Sequence, residues 1–191
     1  MHRVRAWCLI ACLTLPTLSL ASSVDAPDDP ILNELLKRAA SETTSFDDAF
    51  DAWVWLADMS QRLQEKIPAA DTRIGFLKSV HREATRAGLR PELVLAVIET
   101  ESNFDRFAIS SAGARGLMQI MPFWLERIGR PGDNLFDIDT NLRYGCTILR
   151  YYLNEENGDR RRALARYNGS PGRNHYPARV FELWNTRWFP Q

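Results

Sequence analysis

Apolar residues recur at three- and four-residue steps along most of this chain, and nowhere convincingly in the two-residue alternation of a half-buried strand. Ile31, Leu32, Leu35, Leu36 and Ala39 form a first stripe. After a polar break at Ser41 to Ser45, Phe46, Phe50, Trp53, Ala57, Leu63 and Ile67 form a second, which Pro68-Ala69-Ala70 ends. Asp71 or Thr72 stands where a cap for the next helix is needed. That helix presents Ile74, Leu77, Val80 and Ala84 and stops at Gly88. Pro91 opens another helix, at the position where proline is best tolerated. Residues 141–153 and 160–167 are helical in pattern and are separated by Asn157-Gly158, while 129–134 and 169–172 read as loops. The pattern predicts an all-α fold.

The start of the chain reads differently. Met1 to Arg5 carries two arginines, Ala6 to Leu20 is uncharged and rich in leucine, and Ser19-Leu20-Ala21 offers small residues where a signal peptidase reads. The stretch is short for a membrane span and Pro16 interrupts it. These features predict a secretory signal over residues 1–21; the rival reading is lipidation at the box Leu9-Ile10-Ala11-Cys12. Cleavage would remove Cys8 and Cys12 and leave Cys146 without an intramolecular disulfide partner. With three histidines and three cysteines in 191 residues, a multi-ligand metal site is not expected.

Charge is balanced overall, with 24 basic and 24 acidic residues, so nothing points to nucleic acid. It is divided unevenly, however. Residues 22–71 carry 11 acidic and 4 basic side chains, whereas residues 72–191 carry 18 basic, all but one arginine, and 13 acidic. Two readings stand open: oppositely charged surfaces that help dock an N-terminal arm, or a basic face that attracts an anionic polymer.

The helix opened by Pro91 carries the most informative side chain. Val94, Val97 and Ile98 mark its apolar face, and Glu101 follows the last two by four and three residues, so a helix sets its carboxyl on that face. Apolar surroundings disfavour the anion and raise the pKa, which suits a proton donor. The alternative is a glutamate that bends out to water or pairs with an arginine. The small, flexible loop from Ser110 to Gly116 then leads into Leu117-Met118-Gln119-Ile120-Met121-Pro122, where Gln119 either meets a substrate or bonds to backbone. A third cluster, Arg166-Tyr167-Asn168-Gly169-Ser170-Pro171-Gly172, ends a helix with hydroxyl and amide groups that either recognise an N-acetyl sugar or serve ordinary packing and turn chemistry. Tyr176 stands just beyond it. Phe123, Trp124, Tyr144, Tyr151 and Tyr152 either stack on sugar faces or fill the core.

These segments together resemble the lytic transglycosylases of the soluble (SLT-domain) type, a lysozyme-like family that cleaves bacterial peptidoglycan. Glu101-Ser102 looks like the family's catalytic Glu-Ser pair. Residues 113–122 look like its Gly-Leu-Met-Gln signature. Asn141, Gly145, Tyr152 and Leu153 fit its Asn-x3-Gly…Tyr-Leu helix, and Ala165 to Gly169 its Ala-Tyr-Asn-x-Gly motif, followed by Tyr176. Arg166 stands where the family usually has alanine, and Gly169-Ser170 replaces the commoner Ala-Gly; both change the rim of the loop and leave Tyr167 and Asn168 in place.

The resemblance covers about residues 74–176. It implies an all-α, goose-type lysozyme-like catalytic domain over 71–191; the acidic helical arm over 22–70, read from its apolar stripes and charge, is not covered by it. It implies cleavage of the β-1,4 bond between N-acetylmuramic acid and N-acetylglucosamine without water, giving a 1,6-anhydromuramoyl end. Glu101 would be the catalytic acid and then base. Ser110, Met118, Gln119, Tyr167, Asn168 and Tyr176 would bind substrate. No metal and no organic cofactor are expected. The partner would be the peptidoglycan glycan strand, met by a monomer in the periplasm or outside the cell with no stable membrane span after signal cleavage. Two alternatives are a goose-type lysozyme, drawing a second carboxylate from Asp105, Asp137 or Asp139, and a wall-binding module without catalysis.

Overall fold

The computed structural model describes residues 30–41 and 44–189, all helices and loops without a strand; the N-terminal signal expected over 1–21 lies outside the described residues. α1 (Pro30–Ser41) and α2 (Ala49–Leu63) lie against α3 (Ala70–Arg86). Leu36 of α1 and Leu56, Met59 and Leu63 of α2 are fully buried and share one core with Leu77 and Val80 of α3. Two residues of the expected stripes, Ile31 and Phe50, are exposed instead. Both sit in the first two positions of their helices, and Phe50 lies beside the Trp53 ring at the surface.

α2 is shorter than its pattern suggested. Asp48 caps it by accepting from the backbone N–H groups of Phe50 and Asp51 at 2.7 and 2.8 Å. The expected cap of α3 by Asp71 or Thr72 is replaced by Ala69, which has no capping side chain. The link before it is held instead by the buried Arg73, which donates to the carbonyls of Ile67 and Pro68 and to Ser60 Oγ. Gly88, at φ 64°, ends the helical segment in the left-handed conformation that favours glycine.

α4 (Pro91–Ser102) is apolar on every side, and each residue from Leu93 to Ile98 is buried. Such a helix belongs in the middle of a fold. It packs against α3, α8 (His175–Leu183) and the π-helical turn Trp184–Trp188 that continues α8. Its glutamates are tied down at both ends. Glu92 accepts from Trp55 Nε1 at 2.9 Å; Glu99 accepts from Trp188 Nε1 at 2.7 Å and pairs with Arg187.

Beyond α4, residues 103–122 form a compact loop with single antiparallel bridges Ile109–Arg115 and Arg115–Ile120. α5 (Phe123–Ile128) is a turn and a half. α6 (Ile138–Glu155), capped by Asp137, packs on α3 and on α7 (Arg160–Tyr167), which Asp159 caps. Cys146 is buried in α6, and burial pushes its thiol far up. No described helix is long and apolar enough to cross a membrane.

Candidate active site

Three helix ends and one loop meet around Glu101. The chain leaves α4 abruptly: Asn103 and Phe104 both have positive φ, 50° and 70°. Left-handed backbone at non-glycine residues costs on the order of 1–3 kcal/mol each and persists only when the surroundings enforce it. Here the Phe104 ring is buried edge-on against Phe76 and Trp188, with centroids 6.0 and 5.5 Å apart. The turn leaves Glu101 at an open helix end and only partly buried.

Tyr176, from the first turn of α8, donates its hydroxyl to Glu101 Oε1 at 2.7 Å. Burial pushes the Glu101 pKa up from 4.5 to about 7, against the opposing effect of the Tyr176 hydrogen bond. At neutral pH a large fraction of the carboxyl is therefore protonated. With Oε1 accepting from Tyr176, the proton belongs on Oε2, where it can be given away.

Tyr167, at the end of α7, is close enough for the Glu101 charge to help raise its pKa well above the ordinary phenol value, after burial. Its hydroxyl donates to the carbonyl of Met118 at 2.7 Å. Ser102 Oγ donates to the carbonyl of Leu117 at 2.8 Å. The adjacent loop residues Leu117 and Met118 are thus gripped from α4 and α7 respectively.

α6 supplies the third grip. The buried amide of Asn141 donates to the carbonyls of Arg115 and Leu135, at 2.9 and 2.7 Å, and accepts from the Met118 N–H at 2.8 Å. One turn on, Gly145 gives Met118 its space: a Cβ there would lie 2.2 Å from Met118 Sδ. Gly116 is needed for two reasons, its φ of 76° and the 2.4 Å between an added Cβ and both the Leu135 carbonyl and Asn141 Nδ2.

Each residue singled out in the sequence has a definite place. Glu101, Tyr167 and Tyr176 come together. The Met118 side chain is fully buried against Gly145, so its contribution is a backbone carbonyl. Gln119, itself at φ 49°, spends its amide N–H groups on the carbonyls of Gly116 and Ala108, at 2.9 and 3.2 Å. Ser110 Oγ accepts from the Ala114 N–H and closes the glycine loop. Asn168 is exposed and donates to Ser170 Oγ within its own turn. Asn141 and Gly145 do structural work that their types alone did not reveal; a polar residue and a glycine one helical turn apart on the α6 face were the available signal.

The three aspartates considered as a second carboxylate are engaged elsewhere. Asp137 caps α6, Asp139 pairs with Arg82 at 2.7 Å, and Asp105 accepts from the N–H of Phe107. No carboxylate is among the causes of the Glu101 shift. Among the described residues no cluster of histidine, cysteine, aspartate and glutamate is arranged to hold a metal ion.

The family model described as Transglycosylase SLT domain matches residues 78–180. Relatives named membrane-bound lytic murein transglycosylase C, from Yersinia pestis and from Yersinia pseudotuberculosis serotype O:1b, are each 33% identical over 113 residues, 51% of this chain and 32% of theirs. The chain thus spans about a third of the length of these curated relatives. Among solved structures, an inactive mutant of lytic transglycosylase Slt from Pseudomonas aeruginosa is 30% identical, with a TM-score of 0.46 over 72% of this chain and 25% of that one.

Proposed function

The chain belongs to the transglycosylase SLT domain family, by its match over residues 78–180, and from that premise we propose that it is a peptidoglycan lytic transglycosylase with Glu101 as general acid and then base. The observation that carries this reading is the Glu101 carboxyl, raised to about 7 by burial and held at Oε1 by Tyr176. A glycosidase that uses water needs a second carboxylate to activate it. A single carboxyl suffices when the nucleophile comes from the substrate.

Protonated Glu101 gives its Oε2 proton to the glycosidic oxygen as the C1–O4 bond breaks, and the N-acetylglucosamine leaves as an alcohol. The 2-acetamido oxygen of the muramoyl unit stabilises C1 from the opposite face. Glu101, now an anion, takes the proton from the muramoyl C6 hydroxyl. That oxygen attacks C1, releases the acetamido group and closes the 1,6-anhydro ring. Glu101 ends protonated, ready for another cycle, and no water is consumed. Tyr176 keeps the carboxyl oriented through both transfers, and Tyr167 and the 117–119 backbone form the wall against which the sugar sits. The substrate lies outside the cytoplasm, in keeping with the export signal expected over residues 1–21.

Glu101→Gln keeps the volume and the acceptor for Tyr176 but has no proton to give. Turnover of purified peptidoglycan should fall by at least about a thousandfold, with an unchanged circular dichroism spectrum. Activity within a few-fold of the unaltered protein would remove Glu101 from the mechanism. In the unaltered protein, the rate should also decline as pH rises through about 7, because the ionised carboxyl cannot donate.

A further inference from the structure

Four aromatic side chains and two arginines outside the Glu101 cluster line a cavity of about 490 Å³: Phe123, Trp124 and Arg127 on α5, Tyr151 and Tyr152 on α6, and Arg166 on α7. No acidic residue lines it. The Arg127 guanidinium lies over the Phe123 and Trp124 rings, 5.2 and 5.8 Å from their centroids, and has no carboxylate partner among the described residues. Arg166 lies 5.4 Å over the Tyr152 ring and pairs with Glu156 at 3.0 Å. That nearly buried carboxylate also takes Arg162, at 2.6 Å. One carboxylate between two guanidiniums leaves a positive charge over, and Arg127 adds a second. Glu155, on the exposed side of α6, acts on Arg166 only at longer range.

The cavity adjoins the candidate active site. Arg166 immediately precedes Tyr167, and the loop that carries the Met118 carbonyl runs directly into α5. Tyr152 is near enough to Tyr167 to act on it electrostatically. A strand threaded past Glu101 therefore has this surface beside it.

Aromatic faces stack on planar amides, and a guanidinium fork matches a carboxylate. A glycan strand offers sugar faces and acetamido groups to the rings but no charge along its sugars while its lactyl groups are amide-linked; the carboxylates that match the guanidiniums lie on its peptide branches. We propose that this cavity binds the carboxylate-bearing stem peptide of the strand and makes the protein select peptide-substituted glycan. The proposal rests on the transglycosylase reading above. Arg166 is central to it, because its guanidinium lies over the Tyr152 ring in the cavity wall and its neighbour in the chain is Tyr167.

Isothermal titration calorimetry on the full chain carrying Glu101→Gln tests it without turnover. The probes are the N-acetylglucosaminyl-N-acetylmuramoyl tetrapeptide, the same disaccharide after amidase removal of the peptide, and the tetrapeptide form with its carboxyl groups converted to amides. The intact probe should bind about tenfold more tightly than the other two, and adding Arg127→Gln with Arg166→Ala should erase that preference. Arg127→Gln alone, which breaks no ion pair, should reduce it about threefold and covers the case in which the double variant fails to fold. Equal binding of the intact and stripped probes overturns the proposal, as does undiminished binding of the amidated one. So does an arginine dependence confined to the stripped probe, which carries a free lactyl carboxylate. Failure of the unaltered protein to cleave peptidoglycan would overturn the transglycosylase reading and leave this binding result to be judged separately.

Discussion

A carboxyl three and four residues beyond Ile98 and Val97 is legible in the chain as a group set on an apolar helix face, and the raised pKa of Glu101 follows from that placement. What spacing could not reveal is the donor that orients it, because Tyr176 lies 75 residues away and reaches Glu101 only through the tertiary fold. Gln119 shows the reverse. Its polarity among apolar neighbours suggested a substrate contact or a backbone bond, and its N–H groups hold the carbonyls of Ala108 and Gly116. The Glu101 shift also has a stability consequence. Its folded pKa of about 7 lies above the unfolded 4.5, so the native state favours the protonated form; the associated stability is complete below about pH 4.5 and is lost as pH rises through 7. The change corresponds to about 3 kcal/mol at full burial, and less for this partly exposed group. Glu101→Gln escapes that loss and still accepts from Tyr176. It should therefore melt at a higher temperature than the unaltered protein at pH 8, with the two converging at pH 4. A difference that is the same at both pH values would mean that Glu101 ionises freely in the fold.

The long periodic helices are those the pattern anticipated, with α7 starting and ending where expected and α6 running three residues earlier and two later. The elements missed are short. α5 has six residues, and α8 has nine with Pro177 in its first turn, so neither offers enough turns for a period to emerge. The pieces that shape the site are tied together across elements. Ser102 of α4, Asn141 and Gly145 of α6 and Tyr167 of α7 all act on the single loop 116–119. Gly145→Ala tests this coupling. The new methyl group would meet Met118 Sδ, Cε and Cβ at 2.2 to 2.8 Å, so Met118 must move and take its carbonyl away from Tyr167. Overpacking of this kind costs about 1–3 kcal/mol. The variant should melt at a lower temperature and lose activity at temperatures where it remains folded. Full activity would mean that the loop position is not set by α6.

Over the whole molecule, the division of charge between an acidic N-terminal part and an arginine-rich remainder left open whether it helps α1 and α2 dock or makes a basic face for an anionic polymer. In the fold they dock: Leu36, Leu56, Met59 and Leu63 share a core with α3, and Phe46 stacks on His81 with ring centroids 3.4 Å apart. The family match begins only at residue 78, so α1 and α2 lie outside the matched segment and pack on an α3 that runs into it. Deleting residues 1–69 would expose the α3 face formed by Ile74, Leu77 and Val80, and the truncated protein should be insoluble or melt at least about 10 °C lower. An unchanged melting temperature would make the two helices dispensable to the fold. The central claim concerns how the bond is broken, and mass spectrometry of fragments released from purified peptidoglycan tests it most directly, with Glu101→Gln as the control. Transglycosylation predicts muropeptides lighter by one water than their reducing counterparts, and none from the variant. Reducing ends would contradict it, because they require a water molecule activated by a second carboxylate.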